Sequence, residues 1–240
     1  MSLCYFTVMI QANITRILHD IDGICQKNGR DPGEIIVVGV SKFADAAKIN
    51  EALRFGLKHI GENKIQEAHD KFPSLKSSCG KVTKHMIGHL QTNKVKLALQ
   101  LFDLIQSVDS IKLAEAIERQ ASKLNRTSDI LIQVNTAGEQ QKFGCPPGEV
   151  FDLVDRVTSL KHIHVLGLMT IAPRLQDKKV VRQCFRDLRV LRDQINAQFS
   201  NIENVEMKYL SMGMSEDYGI ALEEGANMLR IGRAIFGNVY

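Results

Sequence analysis

The sequence predicts a single α/β domain built as a closed (β/α)8 barrel. Three observations lead to this fold class: eight short apolar segments resemble strands, helical segments lie between them, and the connections are short. Such alternation produces parallel βα units, because a parallel strand can follow another only after a crossover. Eight units within about 250 residues is the number found in a TIM barrel. A doubly wound open sheet is the alternative, but no GxGxxG follows the first strand.

The strands are predicted from runs of β-branched and other apolar residues. The strongest run, Ile35 to Val40, contains no polar side chain and is expected to be buried on both faces of the sheet. The eight predicted strands cover residues 35–40, 57–61, 82–90, 104–108, 129–135, 163–170, 205–210 and 228–231.

The helices are predicted from apolar residues at helical spacing and from capping residues at their ends. They cover residues 13–28, 45–55, 62–72, 91–101, 109–124, 146–157, 180–199 and 215–224, with a short helix after the eighth strand. Either Asp109 or Ser110 caps the fifth of them. The first helix precedes the first strand, so it is expected to cover the bottom of the barrel or to pack on its side.

One domain is predicted, because no linker, low-complexity segment or shift in composition divides the sequence. Residues 9–240 are expected to form the barrel. Residues 1–8 are interpreted as an upstream extension or a remnant of cloning, since Met9 and the residues after it make a more natural start.

Composition and charge argue against several classes of partner. The formal net charge of +4 is spread along the chain, so it is only weak evidence that the protein binds nucleic acid or a membrane surface. The five cysteines are widely spaced and include no CxxC pair, which indicates that they are reduced thiols. No apolar run is long enough to span a bilayer, and the first residues make a poor signal peptide. A cytoplasmic protein is expected.

In a barrel of this kind, functional residues lie at the C-terminal ends of the strands. The residues predicted there are Ser41, Lys42, Gly61, Glu62, Asn63, Gly88, His89, Ser107, Asn135, Met169, Thr170, Ser211–Ser215 and Arg230–Gly232. Lys42 is the one evident nucleophile among them. No carboxylate pair is placed for glycosidic acid–base chemistry and no cluster has metal-ligand spacing, so no catalytic or metal-binding residue is assigned.

Lys42 follows the most strongly predicted strand. An ammonium at the end of a buried strand is costly unless it is used or solvated. The pKa of a lysine falls readily on desolvation, and the neutral amine can attack an aldehyde. The alternative is a solvated lysine at a strand end, and this stretch alone favours that alternative.

The segment Ser211–Ser215, between the seventh strand and its helix, is a candidate phosphate site. Its small residues leave backbone amides exposed, and Ser215 is expected to cap the helix that follows. Gly232, after the eighth strand, would allow a second close approach, and loops in these two positions often hold a phosphate in TIM barrels. Glu216 and Asp217 should point away from it. The alternative is ordinary turn and cap chemistry.

A lysine on the first strand lies beside the seventh and eighth strands once the barrel closes. A lysine, a phosphate site and an arginine between them are typical of a pyridoxal 5′-phosphate (PLP) site. Lys42 would hold the aldehyde carbon as an imine, and Arg230 would face the pyridine nitrogen. Because arginine keeps its proton, that nitrogen would stay unprotonated and the ring would be a poor electron sink.

The motifs resemble those of the pyridoxal phosphate homeostasis protein family, a family similar in fold to the N-terminal barrel of alanine racemase. They are Val38–Lys42, Ile60–Asn63 with Gln66 and Glu67, Ile87–Gln91 with Asn93 and Lys94, His162–Ile171, Leu210–Ser215, and Leu229–Gly232 with Ala234–Gly237. They occur in the family's order and cover the chain from about Met9 onward.

The resemblance implies a PLP-binding barrel without the second domain of the racemase, which supplies a catalytic tyrosine and most of the dimer interface. A monomer is therefore expected. The family is described as serving PLP supply and vitamin B6 balance, with apo-enzymes that need PLP as candidate recipients. Arg233 stands where the family usually has a threonine, a departure that weakens the role of that position as a phosphate donor.

The predicted cofactor-binding set also includes Asn63, His89, Met169, Met212 and Met214. Asn63 is expected beside Lys42, with helix capping as its alternative role. His89 could lie near the ring, but a structural role explains it equally well. The three methionines are expected to pack under or beside the ring. A basic stripe on the helix 180–199 is interpreted as a solvated surface.

Two functions are weighed: a PLP carrier without substantial catalysis, which is favoured, and a PLP-dependent racemase. They differ in whether a second acid–base group stands opposite Lys42, and no such group is found at another strand end. Tyr209 and Tyr218 flank the strand-seven loop, but Tyr209 should belong to the strand itself. A third reading, a phosphosugar isomerase, would need Glu62 as its catalytic glutamate.

Overall fold

A computed structural model of the chain describes residues 2–42, 44–76, 80–139, 141–173 and 177–237, with the backbone alone for residues 2–8. Eight parallel strands close into one barrel in sequence order, and the first strand pairs with the eighth. The predicted fold class is confirmed. The strands are β1 Ile36–Val40, β2 His59–Glu62, β3 Thr83–Met86, β4 Leu104–Val108, β5 Ser128–Gln133, β6 Ile163–Met169, β7 Val205–Ser211 and β8 Met228–Ile231.

The α-helices surround the barrel, and most lie close to their predicted positions. Those described are α1 Ser2–Lys27, α2 Ala46–Arg54, α3 Ile65–Lys71, α4 Val95–Leu101, α5 Ile111–Lys123, α6 Val150–Thr158, α7 Lys178–Gln198, α8 Tyr218–Glu223 and α9 Arg233–Phe236. Helix α1 begins at Ser2 and not at residue 13, so its backbone runs through the segment interpreted as an extension. The assignment of the domain to residues 9–240 stays a prediction. No helix among the described residues is both long and apolar enough to cross a bilayer.

Helix α1 packs on the side of the barrel, one of the two positions expected for it. Its buried face contains Ile10, Ile14, Ile17 and Ile21. It lies against α2, α8 and α9. The hydroxyl of Tyr218 on α8 donates to Asp20 on α1, over 2.8 Å. Polar bonds therefore reinforce the apolar packing of this helix.

Strand β3 is shorter than predicted. It ends at Met86 and not near Leu90, because the chain after it passes close to the residues that follow β2. A Cβ on Gly88 would lie 2.2 Å from the carbonyl oxygen of Asn63. Only glycine permits this contact without a shift of the backbone.

The basic stripe on α7 is exposed to solvent, as interpreted, but three of its arginines also form ion pairs with a neighbouring helix. Arg182, Arg186 and Arg189 all form ion pairs with Glu224, whose side chain is almost completely buried at the end of α8. Arg182 also pairs with Glu223. Several arginines around one buried carboxylate compensate its desolvation and hold α7 against α8.

Two apolar layers form the core. The larger layer lies between the sheet and the helices. The smaller one lies inside the barrel and consists of Val38, Leu104, Leu131, Met169 and Met228. Bulky apolar residues normally fill a barrel interior. Here they share it with a set of buried polar side chains, which lead to the candidate site.

Candidate functional site

Lys42 lies at the C-terminal end of β1. We call the end of the barrel at which all eight parallel strands end the mouth. Val38 belongs to the interior apolar layer, and side chains alternate between the two faces of a strand. Residues 40 and 42 continue the interior-facing series beyond Val38. Lys42 is exposed, so its amine is accessible from solvent at the mouth.

Ser41, the residue before Lys42, forms hydrogen bonds through both its backbone and its side chain. The amide of Ser41 donates to the Gly61 carbonyl over 3.0 Å, and its hydroxyl donates to Glu62 Oε1 over 2.8 Å. Lys71 Nζ donates to the Ser41 carbonyl over 2.9 Å. This outer latch of Ser41, Glu62 and Lys71 fixes the backbone from which the Lys42 side chain projects.

Glu62 lies on the outside of the barrel, where Lys71 of α3 donates to its Oε1 over 2.9 Å. Burial raises the pKa of the Glu62 carboxyl, although the bonds from Lys71 and Ser41 partly offset it. Facing α3, this side chain does not reach into the mouth as a catalytic glutamate of an isomerase would have to. The structure therefore removes the residue on which the isomerase reading depended.

Arg230 is an almost fully buried charge inside the barrel, with only 4% of its surface exposed. Its Nη1 donates to Ser211 Oγ and its Nη2 to the Thr170 carbonyl, both over 2.7 Å. Burial lowers the pKa of this guanidinium to about 10, with Asp217 acting in the opposite direction. Arg230 therefore remains charged at neutral pH.

Beyond Ser211, hydrogen bonds continue through the barrel. Ser211 Oγ donates to Gln106 Oε1 over 2.6 Å. Gln106 Nε2 lies 2.9 Å from His85 Nδ1, and His85 Nε2 lies 2.9 Å from His59 Nδ1. We call Arg230, Ser211, Gln106, His85 and His59 the interior polar network. It joins the mouth at β7 and β8 to the opposite end of the barrel, where β2 begins at His59.

The two histidines of the network are neutral. Burial, together with the neighbouring His59, lowers the pKa of His85 to about 3. Burial also lowers the pKa of His59, with Lys58 acting in the same direction. The network thus has one charged member, Arg230.

The loop that follows β7 lies next to the loop that follows β8. Ser215 Oγ accepts a hydrogen bond from the amide of Ala234 over 3.2 Å. Gly213 has a φ of +92°, and a Cβ there would lie 2.6 Å from the Ala221 side chain. Glu216 points outward and pairs with Arg233, which agrees with the expectation that it points away from the candidate phosphate loop.

The capping role predicted for Ser215 is wrong. Helix α8 begins at Tyr218 and not at Glu216. The carboxylate of Asp217 turns back to accept from the amide of Met214, because the chain makes a further turn before the helix starts. Asp217 is therefore buried in this turn with its carboxylate on the candidate phosphate loop, so the expectation that it points away from that loop is wrong. Burial raises its pKa.

The remaining predicted residues occupy different surroundings. Met169 packs in the interior layer, whereas Met212 is buried between the sheet and the helices and so faces away from the interior. Met214 is partly exposed. Asn63 is half-buried and provides no cap, since Lys64 is the N-cap of α3 without a side-chain bond. The His89 ring stacks on Phe143 with 4.0 Å between centroids.

Gln106 and His85 were missed by the sequence analysis. Each is a buried polar residue within a strand, and Gln106 interrupts the otherwise apolar run Leu104–Val108. A lone polar residue in such a run is a usable signal, but it does not identify its partner. Ser107, next to it, was selected only for its place at the strand end.

The donor set fits PLP. The mouth presents a primary amine, a buried guanidinium and two neighbouring glycine-containing loops, one after β7 and one after β8. Those groups match an aldehyde, a ring nitrogen that accepts a hydrogen bond, and a phosphate. Among the described residues the guanidinium donates only to neutral oxygens, so a further acceptor is chemically suited to it. No group of three His, Cys, Asp or Glu side chains within the described ranges could hold a metal.

Comparison with known proteins agrees with this chemistry. The family model of the alanine racemase N-terminal domain matches residues 27–239. A pyridoxal phosphate homeostasis protein of Aquifex aeolicus is 41% identical over 224 residues, which cover 93% of this chain and 96% of the relative.

Two solved structures share the whole barrel. An unknown protein from Bifidobacterium adolescentis has a TM-score of 0.91 and 34% identity, with 97% of this chain and 96% of that one covered. PipY of Synechococcus elongatus, solved with PLP bound, has a TM-score of 0.78 and 32% identity, with 91% of this chain and 100% of PipY covered. The resemblance inferred from the motifs is confirmed.

The neutral histidines of the network predict a loss of stability in acid. A histidine with a pKa near 6.5 when unfolded and about 3 when folded takes up a proton only on unfolding between these values. Stability is therefore complete above about pH 6.5 and falls below it, by roughly 2–3 kcal/mol for His85 at about pH 4.5. Urea unfolding at both pH values measures this loss.

The control for this prediction is His85→Gln, which cannot titrate in this range. The variant should lose less stability between about pH 7.5 and about pH 4.5 than the wild type does, whatever its stability at neutral pH. Equal losses in the two proteins would contradict the assignment.

Proposed function

The chain belongs to the pyridoxal phosphate homeostasis protein family, and from this membership we propose that it binds PLP at the mouth of the barrel and serves intracellular PLP supply. One observation carries the proposal. An accessible lysine at the end of β1 stands beside a strand, β8, that buries an arginine whose guanidinium bonds directly to no carboxylate among the described residues. A cofactor with an aldehyde and a ring nitrogen uses both groups.

We assign Lys42 as the attachment residue and Arg230 as the donor to the pyridine nitrogen. When bound, PLP supplies an electrophilic carbon and an electron-withdrawing ring. Arg230 keeps its own proton at neutral pH, so it donates a hydrogen bond and leaves the ring nitrogen unprotonated. The outer latch holds the backbone of Lys42, which limits the directions from which its amine reaches the ring.

The phosphate is assigned to the two adjacent loops after β7 and β8. Backbone amides near Gly213 and Gly232, together with the Ser215 hydroxyl, would bind its oxygens. The amides of Met212 and Met214 are not among them, because they already donate to the Met228 carbonyl and to Asp217. Ser211 was expected to share this task, but its hydroxyl already accepts from Arg230 and donates to Gln106. We therefore assign it to Arg230. Arg233 pairs with Glu216, so its charge is already compensated.

The remaining residues of the predicted cofactor-binding set are assigned roles according to where they lie in the barrel. Met169 lies inside the barrel beneath the mouth and is suited to contact the ring. Asn63 and His89 lie at neighbouring strand exits and line the entrance. Met214 is placed on the phosphate loop, and Met212 supports that loop from behind.

We further propose that the protein has no substantial catalytic activity. The relatives are named as homeostasis proteins. Arg230 withholds ring protonation, and a second acid–base group is not evident among the described residues of the mouth. Tyr218 bonds to Asp20 outside the barrel, and its burial together with that bond raises its pKa to about 12. Tyr209 lies within β7. A racemase is the alternative.

We also infer a cytoplasmic monomer that delivers PLP to apo-enzymes. The thiols of Cys25, Cys145 and Cys184 are free and buried, which suits a reducing compartment. The carrier role needs a bond that is covalent yet reversible, and an imine of a lysine with an aldehyde has both properties.

Borohydride trapping tests the function. Reduction of the PLP-saturated protein should place a pyridoxyl group on Lys42, as read by peptide mass spectrometry. Lys42→Ala should abolish labelling, whereas Lys123→Ala should leave it unchanged, because Lys123 is exposed at the last residue of α5, which ends on the side of the barrel opposite the mouth. Labelling of another lysine, or of none, overturns the proposed function.

The phosphate assignment predicts a selective loss in Gly232→Val. A Cβ at this position would meet Val40 at an ordinary 3.4 Å, so the fold should survive while the side chain obstructs the loop. PLP affinity should fall roughly tenfold or more, whereas the weaker affinity for unphosphorylated pyridoxal should change little. Gly148→Val, with nothing within 4 Å of its Cβ, is the matched control. Wild-type protein that binds pyridoxal as tightly as PLP would show that the cradle is wrongly placed.

The non-catalytic role predicts little exchange of the α-proton of amino acids in heavy water. Loss of a partner acid–base group typically costs about 100- to 10,000-fold in rate, so exchange of alanine should stay near the rate with free PLP. Exchange far above that baseline and abolished in Lys42→Ala would favour the racemase. The complementary measurement is transfer of bound PLP to an apo-enzyme.

A further inference from the structure

We propose that Gln106 is a positioning residue for Arg230, acting through the Ser211 hydroxyl, so that the interior polar network sets the direction in which the guanidinium meets the pyridine nitrogen. This inference rests on the proposed function. It concerns residues two and more hydrogen bonds away from the ring, in the interior of the barrel.

The first step concerns why polar side chains lie there at all. Gln106, Ser211 and His85 are essentially inaccessible to solvent, in a space that barrels normally fill with branched apolar residues. Burial of polar groups is unfavourable unless they are hydrogen-bonded. These groups bond to one another and to the buried charge of Arg230. This arrangement indicates a role beyond filling the barrel interior.

The second step concerns the direction of each bond. Arginine can only donate, so Ser211 Oγ must accept from Nη1 and direct its single proton elsewhere. Gln106 Oε1 receives that proton. The amide nitrogen of Gln106 then faces His85 Nδ1 and Met228 Sδ. The roles of all the members follow from the one obligate donor.

The third step concerns the far end of the network. With Nδ1 accepting from Gln106, the neutral His85 carries its proton on Nε2 and donates to His59 Nδ1. His59 is half-buried where β2 begins. In this orientation the amide of Gln106 bonds on both of its sides, and a rotation by 180° would leave the Ser211 hydroxyl without its acceptor.

The fourth step concerns what holds Arg230. Its two described bonds go to the Ser211 hydroxyl and the Thr170 carbonyl, both on the side of β6 and β7. The Thr170 carbonyl is backbone and has a fixed direction, whereas a serine hydroxyl can rotate. Gln106 removes that freedom, because it accepts the hydroxyl proton. Without Gln106 the Ser211 oxygen would still be present, but its hydroxyl could rotate and its lone pairs would no longer be held toward Nη1.

The test uses PLP and a PLP analogue in which carbon replaces the ring nitrogen. Both have the aldehyde and the phosphate, so the ratio of their dissociation constants reports the contact between Arg230 and the nitrogen. The wild type should prefer PLP. Gln106→Met, which keeps the side-chain volume but neither polar atom, should reduce this preference roughly fivefold or more through weaker PLP binding, with the affinity for the analogue nearly unchanged.

Two further variants complete the experiment. Ser211→Ala removes a single oxygen, breaks the same link from the other side and should give a similar loss, so it serves if Gln106→Met does not fold. Leu131→Ala also perturbs the interior layer, but it lies outside the network. This control should leave the ratio of the two affinities unchanged, even if the protein is less stable.

The outcomes separate the two proposals. Equal weakening of PLP and the analogue in Gln106→Met and Ser211→Ala would mean that the network is only structural, and it would overturn the inference while leaving the proposed function intact. A wild type that binds both molecules equally well would also overturn it, since Arg230 would then not contact the nitrogen. Wild-type protein that binds neither molecule would refute the proposed function itself.

Discussion

The buried charge of Arg230 is the constraint on which the interior of this barrel depends. A guanidinium placed among apolar side chains is costly unless its N–H groups are bonded. Ser211 and Thr170 provide acceptors, but Ser211 can accept in this direction only if its own proton has a partner. Gln106 provides that partner, and it then needs one for its own amide nitrogen. Each bond made to accommodate the charge thus requires the next, and this requirement extends across the barrel to His59.

The barrel holds the two groups of the candidate site by different means. Arg230 is held from inside by the interior polar network. Lys42 is held from outside, since the outer latch bonds the backbone and the side chain of the preceding Ser41 to Glu62 and Lys71. The lysine side chain itself stays exposed. A buried donor for the ring and an exposed lysine on a bonded backbone suit the proposed binding of PLP.

Much of the candidate site could be predicted from strand ends and residue chemistry. Lys42 and Arg230 were found in this way, because β-branched runs locate strands and a barrel places their ends together. The capping role of Ser215 was wrong, since a local motif could not reveal the extra turn in which Asp217 bonds back to Met214. Met212 was predicted beside the ring, yet it faces the helices. Side chains alternate between the two faces of a strand, and the structure turns the preceding Ser211 toward the interior.

The sequence by itself determined the number and order of the βα units, and with them the closed barrel and the strand that carries the lysine. These properties are local, since apolar periodicity and capping residues act over a few positions along the chain. Only the tertiary structure decided the partners of the buried polar groups. Gln106 and Ser211 are 105 residues apart in sequence, and Arg230 meets Thr170 across 60. Hydrogen bonds depend on distances of a few tenths of an ångström and on direction, and closure of the sheet alone brings such distant residues within that reach.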